Sequence, residues 1–205
     1  MQAMFKKISA LLIGLLFSVQ VFAQAQAPDQ IVRQVTDDVF ATLKAEKTAV
    51  QQDSNKLVEI VNRFIIPHTD VEETSKRVLA KHWRNLTPEQ QKVFEKEFEK
   101  LLIRTYAISF RSYDKQVIDI LETRANPNNP NMVEVRTLIK EPGKPGLPVN
   151  YRFMKETDGV WKVYDINVDN VSLVSSFRTQ IGDAITREGF DAMLANMRAK
   201  NAEKF

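Results

Sequence analysis

The chain has 205 residues, 27% of them charged and 43% hydrophobic, a formal net charge of +3 and no cysteine. That length accommodates one domain with a core of useful size, and the apolar fraction is too high for a disordered chain. Without cysteine there is no disulfide framework, thiolate zinc site, iron–sulfur cluster, cysteine nucleophile or lipoprotein anchor.

Lys6 and Lys7 precede an apolar run over residues 8–19, and Ala23 and Ala25 offer small-residue exits. This is the pattern of a secretory leader. The run is shorter than the roughly 20 residues a membrane-spanning helix needs. The expectation is a cleaved signal peptide over residues 1–23, with cleavage after Ala23 or Ala25, and a single α+β domain over residues 24–205. Removing Lys6 and Lys7 leaves 27 basic and 26 acidic residues, a net charge of +1.

Ile31, Val35, Val39 and Leu43 recur at the spacing of one helix face. Leu57, Ile60, Val61 and Phe64 mark a second helix that Pro67 stops. A third is predicted over about residues 70–83. Thr87-Pro88-Glu89-Gln90 combines a capping box with a proline at the first helical position. From it a long helix should run to about Phe110, with Phe94, Phe98, Leu101, Leu102 and Tyr106 on one face.

The pattern then changes to alternation. Strands are predicted over residues 116–122, 133–139, 149–154 and 160–168, separated by an Asn/Pro cluster at 126–131, a Pro/Gly loop at 142–148 and the Asp158-Gly159 turn. Such short connections favour an antiparallel meander. Leu173, Val174, Phe177, Ile181 and Ile185 return to helical spacing, and Phe190, Met193, Leu194 and Met197 make a last helix. Helices, then strands, then helices indicate an α+β fold with a helical N-terminal part and a sheet of about four strands.

Chemistry-bearing motifs are sparse. His68 and His82 are not at the spacing of a helical metal pair, and no local partner makes either a base. No glycine-rich phosphate loop is present, and a net charge of +1 without a basic stripe argues against nucleic acid. Asp165 lies in an apolar strand, where a lone charge is costly. It pairs with an arginine such as Arg178, marks a bulge, or serves as the acid of a small cone-fold enzyme. The many large inward apolar side chains fit either a packed core or a ligand cavity. No catalytic set and no metal set emerges.

The ordered motifs resemble one family. Val78-Leu79, His82-Trp83-Arg84, Leu86-Thr87-Pro88-Glu89-Gln90-Gln91 and Thr105-Tyr106-Ala107 are similar to the MlaC family, also called the toluene-tolerance or Ttg2-type family. Gly159-Val160-Trp161-Lys162-Val163-Tyr164-Asp165 and Phe177-Arg178-Thr179-Gln180-Ile181 continue the likeness. Ala80 stands where that family commonly has glycine, and Phe177 where tyrosine is usual.

The resemblance implies a mixed α+β fold, with an antiparallel sheet like the NTF2 cone packed by helices from both ends of the chain and enclosing an apolar cavity. It implies a periplasmic phospholipid carrier, not an enzyme, without a cofactor other than its lipid cargo. The implied partners are an inner-membrane ABC transporter complex and an outer-membrane lipoprotein–porin complex, and the implied role is outer-membrane lipid asymmetry. Inward periodicity together with the resemblance assigns the tail cavity to Phe98, Leu102, Tyr106, Val135, Tyr151, Phe153, Tyr164, Ile166 and Val168. Arg152, Lys162 and Arg178 are head-group candidates, because phosphate favours arginine and lysine. A ligand-free periplasmic adaptor is the remaining alternative.

Overall fold

The computed structural model describes residues 25–112 and 115–203, and the predicted leader lies outside the described residues. The first helical stretch divides at Glu46 into α1 (Pro28–Ala45) and α2 (Lys47–Gln52). α3 (Asn55–Phe64) ends before a 3-10 turn that contains Pro67. α4 (Val71–Leu79) begins where the Asp70 carboxylate accepts a hydrogen bond from the Glu73 amide at 2.9 Å.

The predicted helix over 70–83 is broken at Ala80, which adopts φ 47° and ψ −115°. A 3-10 segment, Ala80–Asn85, follows. A Cβ is poorly tolerated in this region of backbone space, which glycine enters freely. Ala80→Gly is expected to stabilise the protein by about 1 kcal/mol, the relief of strain exceeding the added entropy of the unfolded chain. A raised urea midpoint with an unchanged slope is the expected result.

α5 (Pro88–Ala107) starts at the predicted capping box, with the Gln90 amide 3.2 Å from Thr87 Oγ1 and the Thr87 amide 3.0 Å from Gln90 Oε1. The expected extension to Phe110 is instead a 3-10 segment, Ile108–Ser112.

Five strands follow in meander order: β1 (Val117–Asn126), β2 (Asn129–Lys140), β3 (Leu147–Lys155), β4 (Trp161–Val168) and β5 (Val171–Ser172). All pairings are antiparallel. The Asn/Pro cluster is narrower than expected: only Pro127 and Asn128 separate β1 from β2, and the Asn126 side chain accepts from the Asn128 amide at 2.9 Å. Gly159, at φ 87°, turns β3 into β4. The fifth strand exists because Asp169 and Asn170 both take positive φ, 48° and 64°, the conformation of a two-residue hairpin turn. α6 (Leu173–Glu188) and α7 (Phe190–Ala202) complete the fold.

Register divides the sheet into two faces. Val133, Val135, Thr137 and Ile139 oppose Phe153, Tyr151, Val149 and Leu147, and the first three of these in turn oppose Val163, Ile166 and Val168. Three apolar clusters make up the core, and only the third includes residues of this face. One joins α4, α5, α6 and α7 around Phe94, Phe98 and Phe177. A second joins α1, α2, α3 and α5 around Leu57 and Ile103. A third seats Ile31 and Val32 of α1 on Val135 and Phe153. α4 is fixed to β4 by the Asp70 amide, which donates to the Val163 carbonyl at 2.8 Å.

Candidate functional site

The nine predicted cavity residues fall into distinct settings. Phe98 is 0% exposed, stacked on Phe94 at 5.4 Å and edge-on to Phe177 at 5.3 Å. Val135 and Phe153 are likewise 0% exposed, under α1. These three are packed core, not free wall. Leu102 and Tyr106 follow Phe98 along the same face of α5, and both are only half-buried on the flank of the helical cluster.

On the sheet, Tyr151, Ile166 and Val168 are half-buried, as is Ile139 on the same face. Ile139, Ile166 and Val168 belong to none of the three clusters. The helices account for this. α5 packs on α3, α4 and α7, while the sheet's helical neighbours are α1, α4 and α6. Ile139, Ile166 and Val168 are therefore half-buried apolar side chains of the inner sheet face that stand outside the clustered packing.

Tyr151 combines two properties. Burial pushes its phenol up to about 12, yet the side chain retains accessible surface. Its hydroxyl makes no hydrogen bond among the described residues. Burial also raises Tyr106, the corresponding phenol on α5.

Tyr164 is placed differently. It sits at the bulge between the Arg152–Asp165 and Phe153–Val163 pairs. Arg77 covers its ring at 4.3 Å, and it shares a cleft of about 370 Å³ with Arg124, Glu134 and Arg152 on the polar side of the sheet. The extra residue of the bulge moves it out of the inward alternation.

The polar face carries a row of alternating charge in register: Arg124, Glu134, Arg152 and Asp165. Arg152 bridges Glu134 and Asp165, each at 3.1 Å. Asp165 is 4% exposed and accepts from Arg152, from the Ser172 hydroxyl at 2.7 Å and from the Val174 amide at 3.0 Å. The expected partner Arg178 lies elsewhere; its Nε donates to the Arg77 carbonyl at 2.8 Å. Asp165 is thus both arginine-paired and beside a bulge, but its arginine is the cross-strand neighbour.

The three head-group candidates occupy three settings. Arg152 is compensated by two carboxylates, Arg178 holds a helix carbonyl, and Lys162 stands opposite Met154. Burial, and then the Lys162 charge, lower the pKa of His68. Glu156, at the β3–β4 turn, is raised to about 7 by its hydrogen bond to Asp70 and by burial. No group of metal-binding side chains occurs among the described residues, and none of their helices is long and apolar enough to cross a membrane.

The arrangement offers half-buried apolar side chains on one face of the sheet and, on the other, a carboxylate held by three donors. The model of the MlaC protein family matches residues 33–199, from α1 into α7. The chain belongs to the MlaC family. It is 30% identical over 191 residues to the toluene tolerance protein Ttg2D of Pseudomonas putida, covering 90% of this chain and 86% of that one. It is 25% identical to the intermembrane phospholipid transport system binding protein MlaC of Haemophilus influenzae, covering 84% of this chain and 81% of that one. Among solved structures, the phospholipid-binding protein of Ralstonia solanacearum, in complex with a phospholipid, superposes with a TM-score of 0.78 at 30% identity. That match covers 86% of this chain and 98% of the Ralstonia chain.

The α+β expectation and the antiparallel meander hold, with one strand more than the four expected. The Arg152–Asp165 pair escaped the sequence reading. The signal for it was present, since a tight Asp158-Gly159 turn brings the polar residues of the two strands opposite one another.

Proposed function

We propose that the chain is a periplasmic phospholipid carrier whose acyl tails lie against the inner sheet face. The observation that carries this reading is the set of half-buried apolar side chains Ile139, Ile166 and Val168 outside the clustered packing, near Tyr151, in a fold whose Ralstonia relative holds a phospholipid. Leu102 and Tyr106 of α5 form the opposite wall, while Phe98, Val135 and Phe153 support the site from within the core.

Exposing a methylene to water costs ~0.8 kcal/mol, so two chains of ordinary length represent roughly 20 kcal/mol of gross burial. A carrier supplies that burial with shape and apolar area alone and needs no bond-making residue. The same magnitude makes release into water slow, so transfer requires docking on partners that accept the tails directly. The partners of this reading are an inner-membrane ABC transporter complex and an outer-membrane lipoprotein–porin complex, with lipid asymmetry of the outer membrane as the outcome. Residues 1–23 direct export, and the remainder acts as one domain without lipid anchor or cofactor.

Asp165 argues against the enzyme alternative. Three donors already hold its oxygens and it is 4% exposed, so a substrate has little access to it. Organic extraction of the purified protein followed by mass spectrometry tests the reading. About one phospholipid per chain is expected. An empty extract overturns the proposal and favours a ligand-free adaptor.

A further inference from the structure

The inner sheet face is apolar except for a few hydroxyls, and these differ in their state. Thr137 is satisfied, because its hydroxyl donates to the Val149 carbonyl at 2.6 Å. Tyr151 stands between Val135 and Ile166 in the register, on a central strand. Its hydroxyl has no partner among the described residues, and the residue is half-buried at the margin of the third cluster. Burial keeps the phenol protonated through the physiological range, since its pKa is raised to about 12. Tyr151 is therefore a standing donor at an apolar wall, accessible enough to be hydrated when the site is empty, and a ligand that displaces that water leaves the hydroxyl unsatisfied unless it returns an acceptor.

A ligand that fills this space must supply the acceptor. Hydrocarbon tails have none. The phosphate has several, but it carries charge that is costly to bring against apolar side chains. The ester carbonyls at the head of each tail are neutral, accept hydrogen bonds and move inward with the chains. We propose that the Tyr151 hydroxyl donates to an acyl ester carbonyl of the bound lipid, so that the protein selects ester-linked diacyl lipids over ether-linked ones. This rests on the carrier reading and adds a linkage specificity to it.

The test uses delipidated protein offered an equimolar mixture of diester and diether phosphatidylglycerol with the same chain length, with the bound ratio read by mass spectrometry. The parent is expected to enrich the diester about fivefold, the worth of one net hydrogen bond. Tyr151→Phe, which removes only a hydroxyl that holds nothing in the protein, is expected to bring the ratio to about one. A ratio of one in the parent overturns the inference whatever the variant does, as does an unchanged preference in folded Tyr151→Phe. Uptake of neither lipid by the parent overturns the carrier reading itself, an outcome distinct from equal uptake of both.

Discussion

Asp165→Ala is expected to lower the stability of the protein by about 3 kcal/mol, the lower end of the range for breaking a buried ion pair. The lower end applies because Arg152 is partly exposed and keeps Glu134 after the change. The Val174 amide has no such reserve. It lies at the start of α6 and is buried, and losing its acceptor leaves an unsatisfied donor that costs about 1–3 kcal/mol. The Ser172 hydroxyl also loses its acceptor, although it still receives the Ser175 amide as the cap of α6. One carboxylate thus joins the β3–β4 ladder to the first turn of α6.

Urea unfolding followed by the fluorescence of Trp83 and Trp161 measures the loss. A double-mutant cycle assigns the partner. Coupling of Asp165 with Arg152 is expected at about 1 kcal/mol or more, and coupling with Arg178 close to zero. A full-strength cycle with Arg178 and none with Arg152 would reverse the structural assignment. Undiminished stability in Asp165→Ala would remove the structural role and return the carboxylate to consideration as a reactive group.

Local and near-local features were legible in the sequence. Thr87, Pro88 and Gln90 announce the start of α5 because capping is decided within four residues. The alternation of Val133, Val135 and Thr137 against Glu134 and Arg136 assigns the two faces of β2, since side-chain direction in a strand has a period of two. Features that depend on backbone outliers were not. Nothing in the composition of Val78-Leu79-Ala80-Lys81 breaks a helix, and the 3-10 segment follows from the φ of Ala80. The Asp169-Asn170 pair did carry a signal, because both residue types tolerate positive φ, but β5 is only two residues long.

The candidate site was legible as an inward-facing set and not as a surface. Periodicity places Val135 and Ile166 on the same face, whereas only the packing of α1 distinguishes them. Ile31 and Val32 close over Val135 and leave Ile166 outside the cluster. Tyr164 was misplaced for a different reason. A bulge adds one residue, and strict alternation then assigns the wrong face beyond it.

That distinction between Val135 and Ile166 sets the second large effect. Ile166→Trp is expected to weaken lipid binding about fiftyfold while leaving the fold intact. The side chain is half-buried and belongs to no packed cluster, so the larger ring extends into the space assigned to the tails instead of displacing core neighbours. If the indole takes the room of about three methylenes, the loss is ~2.4 kcal/mol at ~0.8 kcal/mol each, or about fiftyfold in affinity. Val135→Trp provides the contrast. At 0% exposure beneath Ile31 and Val32, it has no room for the ring, and overpacking is expected to cost about 1–3 kcal/mol of stability. The share of limiting lipid that each delipidated variant takes in equimolar competition with the parent, and stability by urea, separate the two outcomes. The binding loss belongs with Ile166 and the stability loss with Val135. An equal share of limiting lipid in a folded Ile166→Trp protein would place the tails away from Ile166.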